Sequence, residues 1–116
     1  MKTLYIFNIG LENNPFIEGI ERMLTLNYNK LNCGFTFHYF LRTSSEYQGS
    51  YERTLVVKGY DYTNNYDNVK RLTETLCVAF NQECIAISSE NKQEMVYNPS
   101  YEGVKLIFDE QYFINP

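Results

Sequence analysis

The sequence predicts an α+β domain in which two helices cover one face of a mainly antiparallel β-sheet. The clearest evidence is an apolar stripe of helical period in residues 67–81 that leads directly into an apolar run, 84–88. Upstream, residues 34–43 and 51–60 alternate apolar and polar side chains around a short polar loop, which predicts a β-hairpin. The chain also begins with a strand-like segment followed by a second amphipathic stretch.

The start of the chain predicts a strand and then a helix. Residues 3–9 are rich in β-branched and aromatic side chains, and Gly10 interrupts them. Asn14 followed by Pro15 predicts a helix N-terminus, because proline has no amide hydrogen to lose at the first helical position. Apolar residues at helical spacing extend this predicted helix to about Lys30.

The predicted hairpin comes next. Alternation assigns its side chains to two faces of the sheet. For residues 34–43, one face holds Phe35, Phe37, Tyr39 and Leu41, and the other holds Thr36, His38, Phe40 and Arg42. Residues 44–50 form a polar loop before the third strand, 51–60, and residues 61–66 lead into the central helix.

The central helix is predicted by spacing and by its ends. Asparagine and aspartate side chains around residues 64–68 can accept hydrogen bonds from the free amides of a first turn. Asn81 can end the helix, because asparagine tolerates the left-handed backbone conformation. The apolar stripe between these ends consists of Val69, Leu72, Leu76, Ala79 and Phe80.

The C-terminal part predicts a β extension. Residues 94–97 read as a short fifth strand, and the alternation in residues 104–109 predicts a last one. Residues 112–114 are apolar enough to dock on the domain. The order β-α-β-β-α-β with a C-terminal β extension is the ferredoxin-like plan, here in a single α+β domain, 1–116. Its open sheet face would be covered by the C-terminal segment, a second subunit or a ligand.

Composition narrows the class of protein. The 116 residues carry a formal net charge of −4, which argues against a protein that grips a nucleic-acid backbone. Eleven tyrosines are too many for the interior alone, so we expect some on a contact surface. No signal peptide or membrane-spanning run is visible, and three cysteines leave an odd thiol. These features predict reduced cysteines and a cytoplasmic location.

The leading functional hypothesis is a small, acidic, non-enzymatic interaction protein. We expect a protein partner or a small ligand, self-association through the open sheet face or an edge, and no cofactor or metal. Small acidic domains of this character occur among phage and mobile-element products that act on a host protein or sequester a small ligand. The expected binding residues lie in or beside loops and are Tyr47, Tyr51, Tyr60, Tyr62 and Tyr66.

An enzyme is the first alternative. His38 is the only histidine, and catalysis would need it beside a carboxylate or a thiol. The thiols available are Cys33, Cys77 and Cys84. A packed or hydrogen-bonded histidine is the commoner reading of such a residue.

Single-stranded nucleic-acid binding is the second alternative. The segment Leu4-Tyr5-Ile6-Phe7-Asn8-Ile9 resembles the first-strand RNP2 motif of RNA-recognition motif domains. That resemblance implies an open sheet face on which Tyr5 stacks against a base. The third strand, residues 53–60, departs from the partner motif of that family.

Overall fold

A computed structural model describes residues 2–11, 34–47 and 49–116. Its strands are β1 (Thr3–Gly10), β2 (Phe35–Tyr47), β3 (Ser50–Asp61), β4 (Cys84–Ser88) and β5 (Gln93–Tyr97). Helix α1 (Tyr66–Ala79) connects β3 to β4, and a short 3-10 turn (Glu110–Tyr112) lies near the C-terminus. The predicted strands at residues 3–9, 34–43, 51–60, 84–88 and 94–97 are therefore all present, with β2 longer than expected.

All five strands form one antiparallel sheet in the order β2-β3-β1-β4-β5. The prediction of a ferredoxin-like sandwich with two helices is wrong, because the described residues hold this five-stranded sheet and the single helix α1. The expected first helix, residues 15–30, lies outside the described residues. The five strands were predicted correctly. The predicted fold class was wrong because it required a pair of helices on the sheet.

The predicted last strand, residues 104–109, is also wrong. This segment alternates like a strand, but it pairs with no strand of the described residues, and tyrosine side chains hold its first half. The Leu106 amide donates to the Tyr97 hydroxyl at 2.5 Å, and the Tyr101 hydroxyl donates to the Val104 carbonyl at 3.0 Å. Alternation alone cannot supply a strand with a pairing partner.

The hydrophobic core lies between α1 and the face of the sheet that carries the odd-numbered residues of β1. Helix α1 contributes Val69, Leu72 and Leu76 of the predicted apolar stripe, whereas Ala79 is exposed and the buried Phe80 caps the helix. The strands contribute Phe7, Ile9, Leu55, Ile85 and Ile87, which are fully buried. Burial of this apolar area is the main force that holds α1 on the sheet.

The ends of α1 follow from asparagine chemistry. The Asn65 side chain caps the helix by accepting from the Asp67 amide at 3.0 Å. Asn81 has a positive φ of 52°, which confirms its role in ending the helix. Asp61 is buried at the end of β3 and accepts from the amide and the hydroxyl of Thr63, so it shapes the turn before the helix.

Gly59 in β3 makes room for an aromatic ring. A Cβ atom at this position would collide with the Phe35 ring and would lie 2.6 Å from the Thr36 carbonyl oxygen. The Phe35 ring is buried, and it packs against Phe37 with ring centroids 4.9 Å apart. The missing side chain of Gly59 therefore lets β2 bring its two phenylalanines into the core.

The C-terminal segment docks, as predicted from its apolar residues, and it lies on the sheet face opposite α1, which the sequence did not specify. The Asn8 side chain donates to the Ile114 carbonyl at 3.1 Å and accepts from the Ile114 amide at 3.0 Å. Nearer the start of the segment, the Leu106 amide donates a hydrogen bond to the Tyr97 hydroxyl. These contacts attach the segment across the sheet from β5 to β1. None of the helices in the described residues is long and apolar enough to cross a membrane.

Candidate ligand-binding face

The sheet face opposite α1 is only partly covered. The C-terminal segment attaches at Asn8 and Tyr97, and Ile6 and Val56 on the same face are buried. Toward the start of β1 and the end of β3 the face is open. There it carries a group that we call the basic–aromatic patch, defined as Lys2, His38, Tyr39, Lys58 and Tyr60.

Strand pairing sets the layout of the patch. Tyr60 of β3 lies opposite Leu4 of β1 and Thr36 of β2. One step along β3 on the same face, Lys58 lies opposite Ile6 and Tyr39. The aromatic and cationic side chains of these two adjacent rows therefore come from β2 and β3, next to Leu4 and Ile6 of β1, and Lys2 directly precedes β1.

A β-bulge in β2 brings Tyr39 into the patch. The register shifts between Phe37, which pairs with Gly59, and Tyr39, which pairs with Lys58. The extra residue reverses the alternation, because each added residue moves the next side chain to the other face. Phe35, Phe37 and Phe40 therefore contact the core, whereas Tyr39 is 41% exposed on the opposite face. The prediction that Tyr39 shares a face with Phe35 and Phe37 is wrong for this reason.

The lysines of the patch lie over tyrosine rings. The Lys2 ammonium is 4.3 Å from the centroid of the Tyr60 ring, and the Lys58 ammonium is 5.3 Å from that of Tyr39. Within the described part of the chain, neither lysine has a carboxylate within salt-bridge distance. Among the described residues, these two lysines therefore form a local basic site on a protein that is acidic as a whole.

His38 adds hydrogen-bonding groups to the patch. Its Nε2 atom is hydrogen-bonded to the Thr36 hydroxyl at 2.7 Å, and its ring meets the Tyr60 ring edge-on at 5.3 Å. The Thr36 hydroxyl and the His38 ring lie on the open sheet face, in the edge strand β2. They offer a donor and an acceptor to a ligand that rests on the tyrosines.

The free energies of the contacts favour replacing a lysine over a tyrosine ring with a planar ligand. An exposed cation–π contact is worth about 0.5–1 kcal/mol. Stacking of one nucleobase-like ring on an aromatic side chain is worth about 1–3 kcal/mol. A planar anion can therefore replace a lysine over a tyrosine ring while the flexible lysine moves to the negative group. The lysines and rings are positioned for such an exchange but are not locked together.

The five tyrosines predicted to bind a partner do not form one surface. Tyr51 is 80% exposed near the hairpin turn, at the far end of β3 from Tyr60. Tyr62 is exposed just after β3, and Tyr47 ends β2 opposite Ser50. Only Tyr60 belongs to the basic–aromatic patch, and the binding role of all five tyrosines stays a prediction.

Tyr66 belongs to a separate polar cluster at the start of α1. Its hydroxyl donates to Glu94 of β5, and Glu94 also pairs with Lys70 at 3.4 Å. Burial, followed by the hydrogen bond to Glu94 and the charge of that carboxylate, raises the pKa of Tyr66. Lys92 lies over the Tyr66 ring at 4.7 Å. The polar groups of this cluster contact one another, and these contacts join α1 to β5.

The groups on which the alternatives depended are placed apart. Tyr5 is buried on the core face and lies beside Tyr66, with ring centroids 6.4 Å apart, so it offers no stacking surface. Cys77 is buried in α1, and Cys84 lies in β4, which β3 and β1 separate from the strand of His38. In the described residues the hydrogen-bond partner of His38 is Thr36 and not a thiol or a carboxylate. Cys33 lies outside the described residues.

Sequence reasoning proposed Tyr60 as a binding residue and His38 in the enzyme alternative, but it did not propose Lys2, Tyr39 or Lys58. Lys58 and Tyr60 are two residues apart in a predicted strand, so their shared face was readable from the sequence. Tyr39 was assigned to the wrong face, because a bulge leaves no simple mark in the sequence.

No group of histidine, cysteine, aspartate and glutamate side chains in the described residues could hold a metal ion. Comparisons with protein-family models, curated proteins and solved structures find no match to this chain.

Proposed function

We propose that this protein is a small non-enzymatic binding protein that holds a planar anionic ligand on its basic–aromatic patch. The observation that carries the proposal is the arrangement of Lys2 over Tyr60 and Lys58 over Tyr39 on an open sheet face. Rings bind a planar group and lysines bind its charge, so one ligand can use both. We also infer a reducing, cytoplasmic setting, supported by the buried, free thiol of Cys77.

Non-enzymatic binding is favoured over catalysis by the surroundings of His38. The ring is exposed, and its contacts are the Thr36 hydroxyl and the Tyr60 ring. A general base is usually oriented by a further polar group, as well as lying beside a nucleophile. The contacts described for His38 fit a ligand-contacting residue better than a base.

The proposal is tested by adding pyranine, a planar pyrene that carries three sulfonates, and recording the shifts of the backbone amide signals by NMR. We expect shifts concentrated at the paired ends of β1, β2 and β3, with affinity that falls as salt rises. Lys58→Gln should weaken binding about two- to fivefold, the range of one exposed ion pair. Tyr60→Leu should weaken it about tenfold through loss of stacking.

Matched controls separate the patch from general surface charge. Lys105→Gln removes an exposed lysine that lies 5.9 Å from the Tyr97 ring, outside the patch, and should leave pyranine affinity unchanged. Proflavine, a planar cation, should bind more weakly than pyranine despite the acidic net charge. Equal loss of affinity in the Lys58 and Lys105 variants, or tighter binding of proflavine, would contradict the proposal.

A further inference from the structure

We infer that the ligand of the basic–aromatic patch is a dinucleotide unit, meaning two nucleobases joined through a phosphate. The inference rests on the proposed function and names the chemical class of the ligand. It assigns one base to Tyr39, one to Tyr60, and the phosphate groups to Lys58 and Lys2.

The spacing of the two rings supports two bases. Tyr39 pairs with Lys58, and Tyr60 is two residues farther along β3, so the tyrosines occupy diagonal positions on neighbouring strands. Diagonal positions in a sheet lie about 7–8 Å apart, which leaves each ring its own stacking area. Open sheet faces with aromatic side chains on adjacent strands can stack successive bases in this way.

The charges fit phosphate groups. Lys58 lies beside Tyr39 in one row, and Lys2 lies over Tyr60 in the next, so positive charge accompanies both stacking positions. Lysine binds phosphate as a mobile point charge. The pair formed by Thr36 and His38 lies beside Tyr60 and can donate to and accept from the edge of a base.

The surroundings limit the length of the ligand. The C-terminal segment is fixed to Asn8, which is in the row directly beyond Lys58 on the same face. The net charge of −4 opposes the approach of a long polyanion. The site therefore suits two nucleotides, supplied as a free dinucleotide or as part of a single strand.

The test compares four unlabelled probes by isothermal titration calorimetry with the full chain. They are the 3′–5′-linked adenylate dinucleotide with a 5′ phosphate (pApA), a twelve-residue oligoadenylate, adenosine and inorganic triphosphate. We expect pApA to bind at least about tenfold more tightly than adenosine or triphosphate, because neither of those two probes can use both rings and both lysines. If the oligoadenylate binds with similar affinity per site, a single strand can supply the dinucleotide unit. If the oligoadenylate does not bind, the ligand is a free dinucleotide. Both results require pApA to bind.

Variants tie the binding to the two rings. Tyr39→Leu and Tyr60→Leu should each weaken pApA about tenfold or more, whereas Tyr112→Leu, at an exposed tyrosine outside the patch, should not. Amide spectra of each variant verify that it folds. The inference is overturned if pApA binds no better than triphosphate, or if the Tyr39 and Tyr60 variants bind it as well as the Tyr112 variant. If pyranine binds at the patch and pApA does not, the proposed function stands and the dinucleotide is excluded.

Discussion

Replacing Asn8 should release the C-terminal segment from the sheet. Its side chain makes two hydrogen bonds to the backbone of Ile114, at 3.1 and 3.0 Å, across 106 residues of sequence. Each such bond contributes about 0.5–1.5 kcal/mol net, so Asn8→Ala should lower the free energy of unfolding by about 1–3 kcal/mol. Asn8→Asp keeps an acceptor for the Ile114 amide but places a carboxylate oxygen against its carbonyl, so this variant should also be destabilised.

Two measurements check the Asn8 prediction. Urea denaturation gives the free energy of unfolding, and hydrogen exchange of the Ile114 amide reports local docking. Asn91→Ala, at an exposed turn position, is the control and should change stability by less than about 0.5 kcal/mol. Docking through Asn8 is refuted if Asn8→Ala matches the control in stability and Ile114 exchanges at the same rate as in the unmodified protein.

Three further substitutions test the core. Leu76→Ala in α1 should cost about 2–5 kcal/mol in urea denaturation, and Val78→Ala, at a residue 63% exposed on the same helix, less than about 0.5. Gly59→Ala should cost about 1–3 kcal/mol by displacing the Phe35 ring, measurable by calorimetry and by shifts of the Phe35 ring signals. Burial raises the pKa of Cys77 to about 12 from an ordinary value of 9.0, so the unfolded chain loses this proton first and stability falls as pH rises above 9. Between pH 8 and 10 the Cys77 contribution should fall by roughly 1.4 kcal/mol, and Cys77→Val should lack that part of the loss.

The sequence predicted local structure well. The strands at β1, β4 and β5 have clear composition or alternation, and Asn65 and Asn81 mark the ends of α1 through side-chain and backbone properties that act locally. The docking of residues 112–114 was also foreseeable, because apolar side chains avoid solvent. These features depend on a residue and its near neighbours, which is why they could be inferred without coordinates.

The remaining features depend on long-range pairing. The bulge that exposes Tyr39 exists only relative to β3, and the room for Phe35 exists only because Gly59 lies opposite it. Residues 104–109 alternate like a strand but find no pairing partner in the described residues. The sequence could place Lys58 and Tyr60 on one face, but the approach of Lys2 to Tyr60 required the folded sheet.

The central position of β1 has a consequence for folding. This strand is the earliest in the chain, yet its partners are β3, residues 50–61, and β4, residues 84–88. During synthesis its apolar side chains remain unpaired until a hairpin and then a helix and strand have followed, and the hydrogen bonds at Asn8 close last. Such non-local contacts require long loops to close before they give stability, so we expect slow, late and concerted folding, with the sheet exposed to misassembly until residue 114 is available.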